Sequence, residues 1–452
     1  GPGGVGKSRL AAQLALELAN EVEDTRWVDL RAVRQAAVLP GLIAEALGLE
    51  ASDDVEGLGR QLGERRLRLV LDEVDGIVDE AGLLATLLDA APGLQLLVTS
   101  RMPLRLADER LIEVPELSVA AAGELFRHGM ERVGAEEEPG DAELHALVEK
   151  VGPTPLTIEL AAAWTRALSP AELGAELDRH PELLAAAPGL QPRTARFIDV
   201  TRELMSPWEQ EALGVLATVP GGFTAEAARA AAGASPFFLL ALLERSLVRR
   251  EGARYTVHAA IAERYRAGLR DPAAARERVA RTYAELARQV NEMPRSESSS
   301  RGYRLLDAER ANLVFAWREA LERRDTELAW PLARALRGYL DVRGRAREGL
   351  ELFQLAESQL ADAPDTELRG WVADAVALFL AQRGRHAEAA AKIDEALALL
   401  APHTPGDTAA MAWNTAGVVA GMGGRPDAAL AAFGTAAELR RQLDDAVGEA
   451  QA

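Results

Sequence analysis

The sequence has 452 residues, 48% of them apolar and 27% charged, with a formal net charge of −19 and no cysteine. The length allows several domains with sizeable cores. The lack of thiols excludes disulfides, thiolate-bound zinc and cysteine nucleophiles, the acidity argues against a surface built throughout for nucleic acid, and no apolar run reaches the ~18 residues of a membrane span, so a cytoplasmic protein is expected.

The first ten residues, GPGGVGKSRL, fit G-x-x-x-x-G-K-[ST] through Gly1, Gly6, Lys7 and Ser8. Glycines at Gly1, Gly3, Gly4 and Gly6, with Val5 between them, let backbone N–H groups turn inward around phosphates. Lys7 then neutralises phosphate charge, Ser8 ligates Mg²⁺, and the start of the following helix, through Arg9, adds its dipole. A glycine-rich turn opening an ordinary helix is the plainer alternative, and the next motif outweighs it. No strand precedes the loop, so the chain is expected to be a piece cut from a longer protein, with an incomplete last repeat and weak nucleotide binding.

Residues 1–116 alternate short apolar runs with helical stretches. Strands are predicted at TRWVDL (25–30), LRLVLD (67–72), LQLLVTS (94–100) and RLIEVPEL (110–117). Continuous apolar strands separated by helices predict a parallel sheet covered on both faces. The second strand ends in Asp72 and Glu73. A carboxylate at Asp72 suits Mg²⁺, and Glu73 is placed to orient or deprotonate a water, with Asp75 as the weaker alternative. Arg101 follows the third strand, where an arginine can sense a γ-phosphate.

After residue 117 the apolar spacing becomes helical. EEEPGD (136–141) reads as a charged loop, and Pro181, Pro188 and Pro192 mark a break. Residues 193–270 read as three helices closed by a hairpin. Ser206, Pro207 and Glu209 form the first helix entry, Thr224 caps the second helix and SPFFLLALLERSLV carries the third, expected to pack inside the protein. LVRREGARYTVH reads as two strands around Glu251-Gly252, the wing of a winged helix. From about 271 the chain is helical, apart from a linker predicted at PRSESSSRG (294–302). Gly344, Gly384 and Gly424 each open a Gly-Arg turn before an amphipathic stretch, 40 residues apart. A fixed period of that size predicts stacked helical hairpins.

The loop, LVLDE and LLVTSR, in this order, resemble the STAND class of signal-transduction ATPases, and most closely its bacterial NB-ARC-like branch. VGPTPLTIELAAA (151–163) resembles the Gly-x-Pro signature of that family's helical subdomain, and LMSPWEQEALGVLATVPGGFTAEAA resembles its winged-helix start. The resemblance covers nearly the whole chain. It implies ATP and ADP as ligands with Mg²⁺, an adenine contact at Pro155, and a β-phosphate contact at His258. The family's Met-His-Asp motif stands here as Val257-His258-Ala259, without its acid.

The expected architecture is multidomain α/β plus α. It comprises a P-loop NTPase domain (1–116), a helical subdomain (117–192), a winged helix (193–270), a helical connector (271–340) and tetratricopeptide-like repeats forming an α-solenoid (341–452). The leading functional expectation is an ATP/ADP switch in signal transduction, regulating transcription and reset by slow hydrolysis. The repeats would sense a protein or small molecule, and the active form would self-associate. A high-turnover oligomeric ATPase and a nucleotide-gated scaffold remain as alternatives. DNA binding by the winged helix is disfavoured, because its third helix is too apolar to read base edges; DNA contact is expected only through a segment outside the chain.

Overall fold

The computed structural model describes residues 1–31, 33, 35–49, 54–135, 139–179, 192–293 and 301–443. The core of the predicted loop at 136–141, two of the three break prolines (Pro181 and Pro188) and most of the predicted linker lie outside the described residues. The protein is mostly helical with one small parallel sheet. It divides into two compact units, Gly1–Ala36 with Leu62–Thr282, and Ala37–Gln61 with Tyr283–Ala452. Among the described residues no single helix is long and apolar enough to cross a membrane.

In the first unit, helix α1 (Lys7–Glu17) follows the glycine loop. Strands β1 (Asp24–Asp29), β2 (Leu67–Asp72) and β3 (Leu94–Val98) pair in parallel in that order, with Asp29 opposite Asp72 and Leu67 opposite Leu94. The central strand β2 is buried at all six positions. Arg68 is tolerated there because Leu18 O accepts from its guanidinium at 2.7 Å and Gln95 Oε1 at 2.7 Å. Ala11 and Ala15 of α1 pack on Val70, and their small side chains bring helix and sheet close together.

Two expectations about the sheet are corrected. β1 leaves Trp27 and its neighbours partly exposed, so only the central strand is enclosed on both faces. Residues 110–117 form no strand. Leu111 and Ile112 are exposed, and the segment finds no strand to pair with among the described residues; a β-rich composition cannot hold a strand without a ladder partner.

The connection between β1 and β2 carries α2 (Leu39–Leu47) and α3 (Val55–Leu62). After β2 and β3, with α4 (Gly82–Ala90) between them, come α5 (Val119–Val133), α6 (Asp141–Val151), α7 (Pro155–Trp164) and α8 (Pro170–Arg179). Leu156 to Ala163 of α7 are all buried. A Cβ at Gly129 would stand 2.5 Å from Ala162 Cβ, so α5 crosses α7 at a glycine–alanine contact.

α9 (Pro192–Glu203) precedes α10 (Pro207–Leu216), which opens with the predicted capping box of Ser206 and Glu209. Thr224 caps α11 (Ala225–Ala232) as expected, and Ser235 caps α12 (Pro236–Glu244). β5 (Val248–Glu251) and β6 (Arg254–Val257) form the predicted hairpin, extended by the short β4 (Phe223–Thr224). α12 is not packed inside: it buries Phe238, Leu239 and Leu242, but Phe237 is 83% exposed and Leu240 is also exposed. One helical turn has two sides, and an apolar run around the whole helix does not say which side meets the core. α13 (Ala259–Ala267) and α14 (Pro272–Asn291) follow.

The second unit contains α15 (Tyr303–Arg323), α16 (Thr326–Val342), α17 (Ala346–Gln359), α18 (Thr366–Gln382), α19 (His386–Leu400), α20 (Asp407–Met422) and α21 (Pro426–Gln442). The three Gly-Arg turns join α16 to α17, α18 to α19 and α20 to α21. Their glycines sit at φ 62°, 73° and 73°, which only glycine adopts without strain. In each turn the following arginine N–H returns to a helix carbonyl: Arg345 to Leu340, Arg385 to Leu380 and Arg425 to Ala420, at 2.8 to 2.9 Å. The 40-residue sequence period is therefore a repeated turn geometry. A buried Arg337–Asp374 pair at 2.7 Å, with Arg337 also donating to Thr415 at 2.8 Å, links α16, α18 and α20.

Candidate functional site

The site is built where β2 and β3 end, the edge of a parallel sheet at which ligands collect. Gly4 and Gly6 both have left-handed φ, 86° and 100°. Gly6 caps α1 without a side chain, so the first-turn N–H groups of α1, from Lys7 to Arg9, have no capping acceptor. A cradle of open donors at a helix N-terminus suits an anion.

The loop leans on the start of α7. Leu156 N–H donates to Gly4 O at 3.2 Å. A Cβ at Gly4 would meet Leu156 at 2.9 Å, and one at Gly6 would stand 3.5 Å from Pro155 Cγ. Both glycines are needed for their backbone conformation, and Gly4 also for the close approach to Leu156. Pro155 is thus next to the loop.

Lys7 Nζ donates to the carbonyls of Gly1 and Pro2 at 2.8 and 2.9 Å. Burial lowers its pKa, Arg101 adds to that, and Asp75, Glu73 and Asp72 oppose it. Gly1 N stands 3.2 Å from Ser100 O, just past the end of β3.

Asp72 is buried at the tip of β2 and accepts from Thr99 Oγ1 at 2.5 Å. The same hydroxyl accepts from Glu73 N–H at 2.9 Å. Glu73 has left-handed φ, 58°, which turns the chain sharply after the strand. Its carboxylate lies 3.8 Å from Arg31 Nε. Burial raises its pKa, and Asp72, Asp29 and Asp75 raise it further against Arg31. Asp75 accepts from Ser100 Oγ at 3.0 Å and from Arg101 N–H at 2.7 Å, so it braces the β3 end rather than standing free. The Arg101 guanidinium lies between Asp75, at 4.0 Å, and Glu263 of α13, at 3.6 Å.

His258 closes the arrangement. It caps α13, its Nδ1 accepting from Ala260 N–H at 3.2 Å. The other ring nitrogen then carries the proton and is a donor. Burial, followed by the cations Arg249, Arg31, Arg101 and Lys7, lowers its pKa to about 3. Burial and these cations favour the neutral ring.

Ser8 Oγ makes no hydrogen bond among the described residues, and no cluster of three His, Asp or Glu side chains is built there for a metal. One free hydroxyl and one carboxylate suit Mg²⁺, which keeps several waters and takes phosphate oxygens as ligands.

Three contributors escaped the sequence reading. Thr99 is one. Glu159 of α7 is another: it is nearly buried and accepts from Arg9 Nη1 at 3.4 Å and from Arg249 Nη2 at 2.9 Å. Arg31 is the third. Their only sequence signal was position, at a strand tip, in a buried helix and just past an edge strand. The hairpin arginines have internal partners. Besides Arg249, Arg250 stacks on Tyr255 at 5.7 Å and Arg254 donates to Gly221 and Gly222 carbonyls.

No protein-family model matches the chain. A 272-residue stretch is 35% identical to the "Putative HTH-type transcriptional regulator" of Mycobacterium tuberculosis, matching 55% of this chain and 30% of that protein. An uncharacterised protein of the same organism is 33% identical over 243 residues, 51% of this chain and 62% of that one. The match spans about a third of the first relative's length. Among solved structures, a STAND protein with a tetratricopeptide repeat sensor from Pyrococcus horikoshii aligns over 99% of this chain and 81% of its own, at TM-score 0.41 and 15% identity. A Walker-type ATPase of Pyrococcus abyssi aligns over 58% of this chain and 88% of its own, at TM-score 0.29.

Proposed function

We propose that this STAND-like chain is an ATP/ADP switch. The observation that carries the reading is the meeting of the glycine loop, Asp72 and Glu73, Arg101, Pro155 and His258 at one sheet edge. In this reading Gly1, Gly3, Gly4, Val5 and Gly6, with the open amides of Lys7, Ser8 and Arg9, hold the phosphates. Lys7 leaves its own loop carbonyls for the β- and γ-phosphates. Ser8 and Asp72 hold Mg²⁺, which when bound neutralises phosphate charge. Thr99 fixes the orientation of Asp72.

Glu73 orients the water that attacks the γ-phosphate, so the chain is a slow ATPase whose hydrolysis resets the switch. Arg101 answers to the γ-phosphate. Because it also faces Glu263, its movement is felt midway along α13. Pro155 lies against the adenine, and His258 donates to the β-phosphate without needing a charge. His258 is fixed by capping α13, which supports keeping this role although Ala259 follows where an acid would stand.

The domain reading is part of the proposal: P-loop domain 1–116, helical subdomain 117–192, winged helix 193–270, connector 271–340 and a tetratricopeptide-like solenoid 341–452. We assign the solenoid the sensing of a small molecule or protein, and the ATP form self-association. Transcription as the output is supported by the relatives' names. The internal partners of Arg249, Arg250 and Arg254 support placing DNA contact away from the hairpin.

A switch must bind its two nucleotides differently in its two states. Hydrogen exchange of α13 and the hairpin, measured with ADP and with a non-hydrolysable ATP analogue, tests this. Slower exchange with ADP is expected; identical exchange with both would remove the switch.

A further inference from the structure

The second unit holds a cleft of about 260 Å³ between α2 and the first Gly-Arg turn. Val38, Gly41 and Leu49 give it an apolar wall, and Arg343, Arg345 and Glu348 line the opposite side. Its charges are not equivalent. Arg343 is held by Asp307 through two bonds, the longer 3.1 Å, and Glu348 by Arg310 at 2.6 and 3.2 Å. Those pairs are complete without the cleft.

Arg345 differs. Its side chain is 6% exposed, so its charge needs a close acid. Glu348 stands at 3.5 Å and is already shared with Arg310. The close partner is Glu45 of α2, whose side chain is 48% exposed. A buried guanidinium is thus satisfied by an acid that faces solvent across a cleft. The chain has supplied its own anion where an outside one has room to stand. Behind Arg345 the Tyr339 ring lies 6.0 Å from its guanidinium, and the Tyr339 hydroxyl is buried with no partner among the described residues. Arg345 also sits at the N-terminus of α17, where no side chain caps the open N–H groups.

We infer that this cleft binds a small carboxylic acid with an apolar body, whose carboxylate takes Arg345 from Glu45. The ligand carboxylate takes the place of the Glu45 carboxylate on Arg345, and Glu45 turns to solvent, so binding brings one negative charge. A phosphate dianion would bring two beside Glu348. The fork of Arg345 matches a carboxylate through two parallel bonds, and the volume suits a body of a few carbons against Val38 and Leu49. The inference deepens the sensor role proposed for the repeats and, as to signalling, rests on that reading.

Calorimetric titration of the whole chain carrying Lys7→Ala, without nucleotide, tests it, so the outcome is separated from anion binding at the phosphate loop. The probes are isovalerate and phenylacetate, their neutral amides, and inorganic phosphate. At least one acid should bind saturably, and neither amide nor phosphate should. Glu45→Gln removes the internal competitor at a half-exposed position and should tighten the acid by about tenfold. Arg345→Lys keeps the charge but loses the fork and should weaken it by about tenfold. If Arg345→Lys does not fold, the Glu45→Gln result decides. Absence of acid binding, equal binding of acid and amide, preference for phosphate, or no gain in Glu45→Gln each overturns the inference.

Discussion

Arg249 Nη2 of the hairpin donates to Glu159 Oε2 of α7 at 2.9 Å, while Arg9 Nη1 of α1 reaches Oε1 of the same carboxylate at 3.4 Å. One nearly buried acid therefore ties together the helix after the glycine loop, the helix that carries Pro155, and the hairpin that leads to His258. The arginines are largely exposed, so each pair alone contributes little, but the carboxylate between them has left water. Glu159→Gln should cost about 1–3 kcal/mol in urea unfolding and weaken ADP binding. Arg249→Ala should cost about 0–1 kcal/mol. Equal effects would contradict a central role for the acid.

His258 gives a dependence on pH with a defined sign. Its pKa falls from 6.5 to about 3 on folding, so between those values the unfolded chain holds a proton that the folded chain does not. Its stabilising effect is complete above pH 6.5 and is lost as pH falls towards 3. Between pH 7 and pH 5 that loss amounts to about 2 kcal/mol. His258→Asn keeps a capping side chain for α13 and removes the titration. Unfolding free energies at the two pH values should differ less in the variant by that amount; the same slope in both proteins would assign the effect elsewhere.

Glu73 has a raised pKa because it is buried among acids. As the base for water it works ionised, so hydrolysis should fall on the acid side at a pH above the usual carboxylate range. Glu73→Gln should retain ADP binding and lose at least about a hundredfold in hydrolysis rate. A variant that still hydrolyses ATP at the original rate would move the role to another residue, Asp75 being the nearest acid.

A turn glycine and a helix glycine of the repeats separate two costs. Gly384 has φ 73° and open space where a Cβ would stand, so Gly384→Ala carries only the backbone penalty of about 1 kcal/mol. Gly349 faces the Phe379 ring, 2.6 Å from an added Cβ. Gly349→Ala must move a buried ring and should cost about 1–3 kcal/mol. Thermal unfolding of the two variants checks the order.

What the sequence made legible was local chemistry. The capping box at Ser206, the Thr224 cap, the hairpin at Gly252 and the 40-residue turns depend on neighbours in the chain, and each formed where expected. The loop and the Asp72 strand end likewise carry their signals within a few residues. Residues 110–117 misled because strand composition says nothing about an available partner. α12 misled because a helix apolar all round does not reveal that Phe237 faces out. Glu159, Thr99 and Arg31 were invisible because their partners lie far away in sequence, 90 residues in the case of Glu159 and Arg249. The association of Glu45 with Arg345, 300 residues on, has the same origin.

The central claim is that the glycine loop holds a nucleotide through Lys7. Calorimetric titration of ADP with Mg²⁺ into the wild-type chain and into Lys7→Ala and Ser8→Ala tests it directly. The account predicts saturable binding to the wild type, loss of binding in Lys7→Ala, and a loss of the Mg²⁺ dependence in Ser8→Ala. Wild-type affinity retained in Lys7→Ala would contradict it.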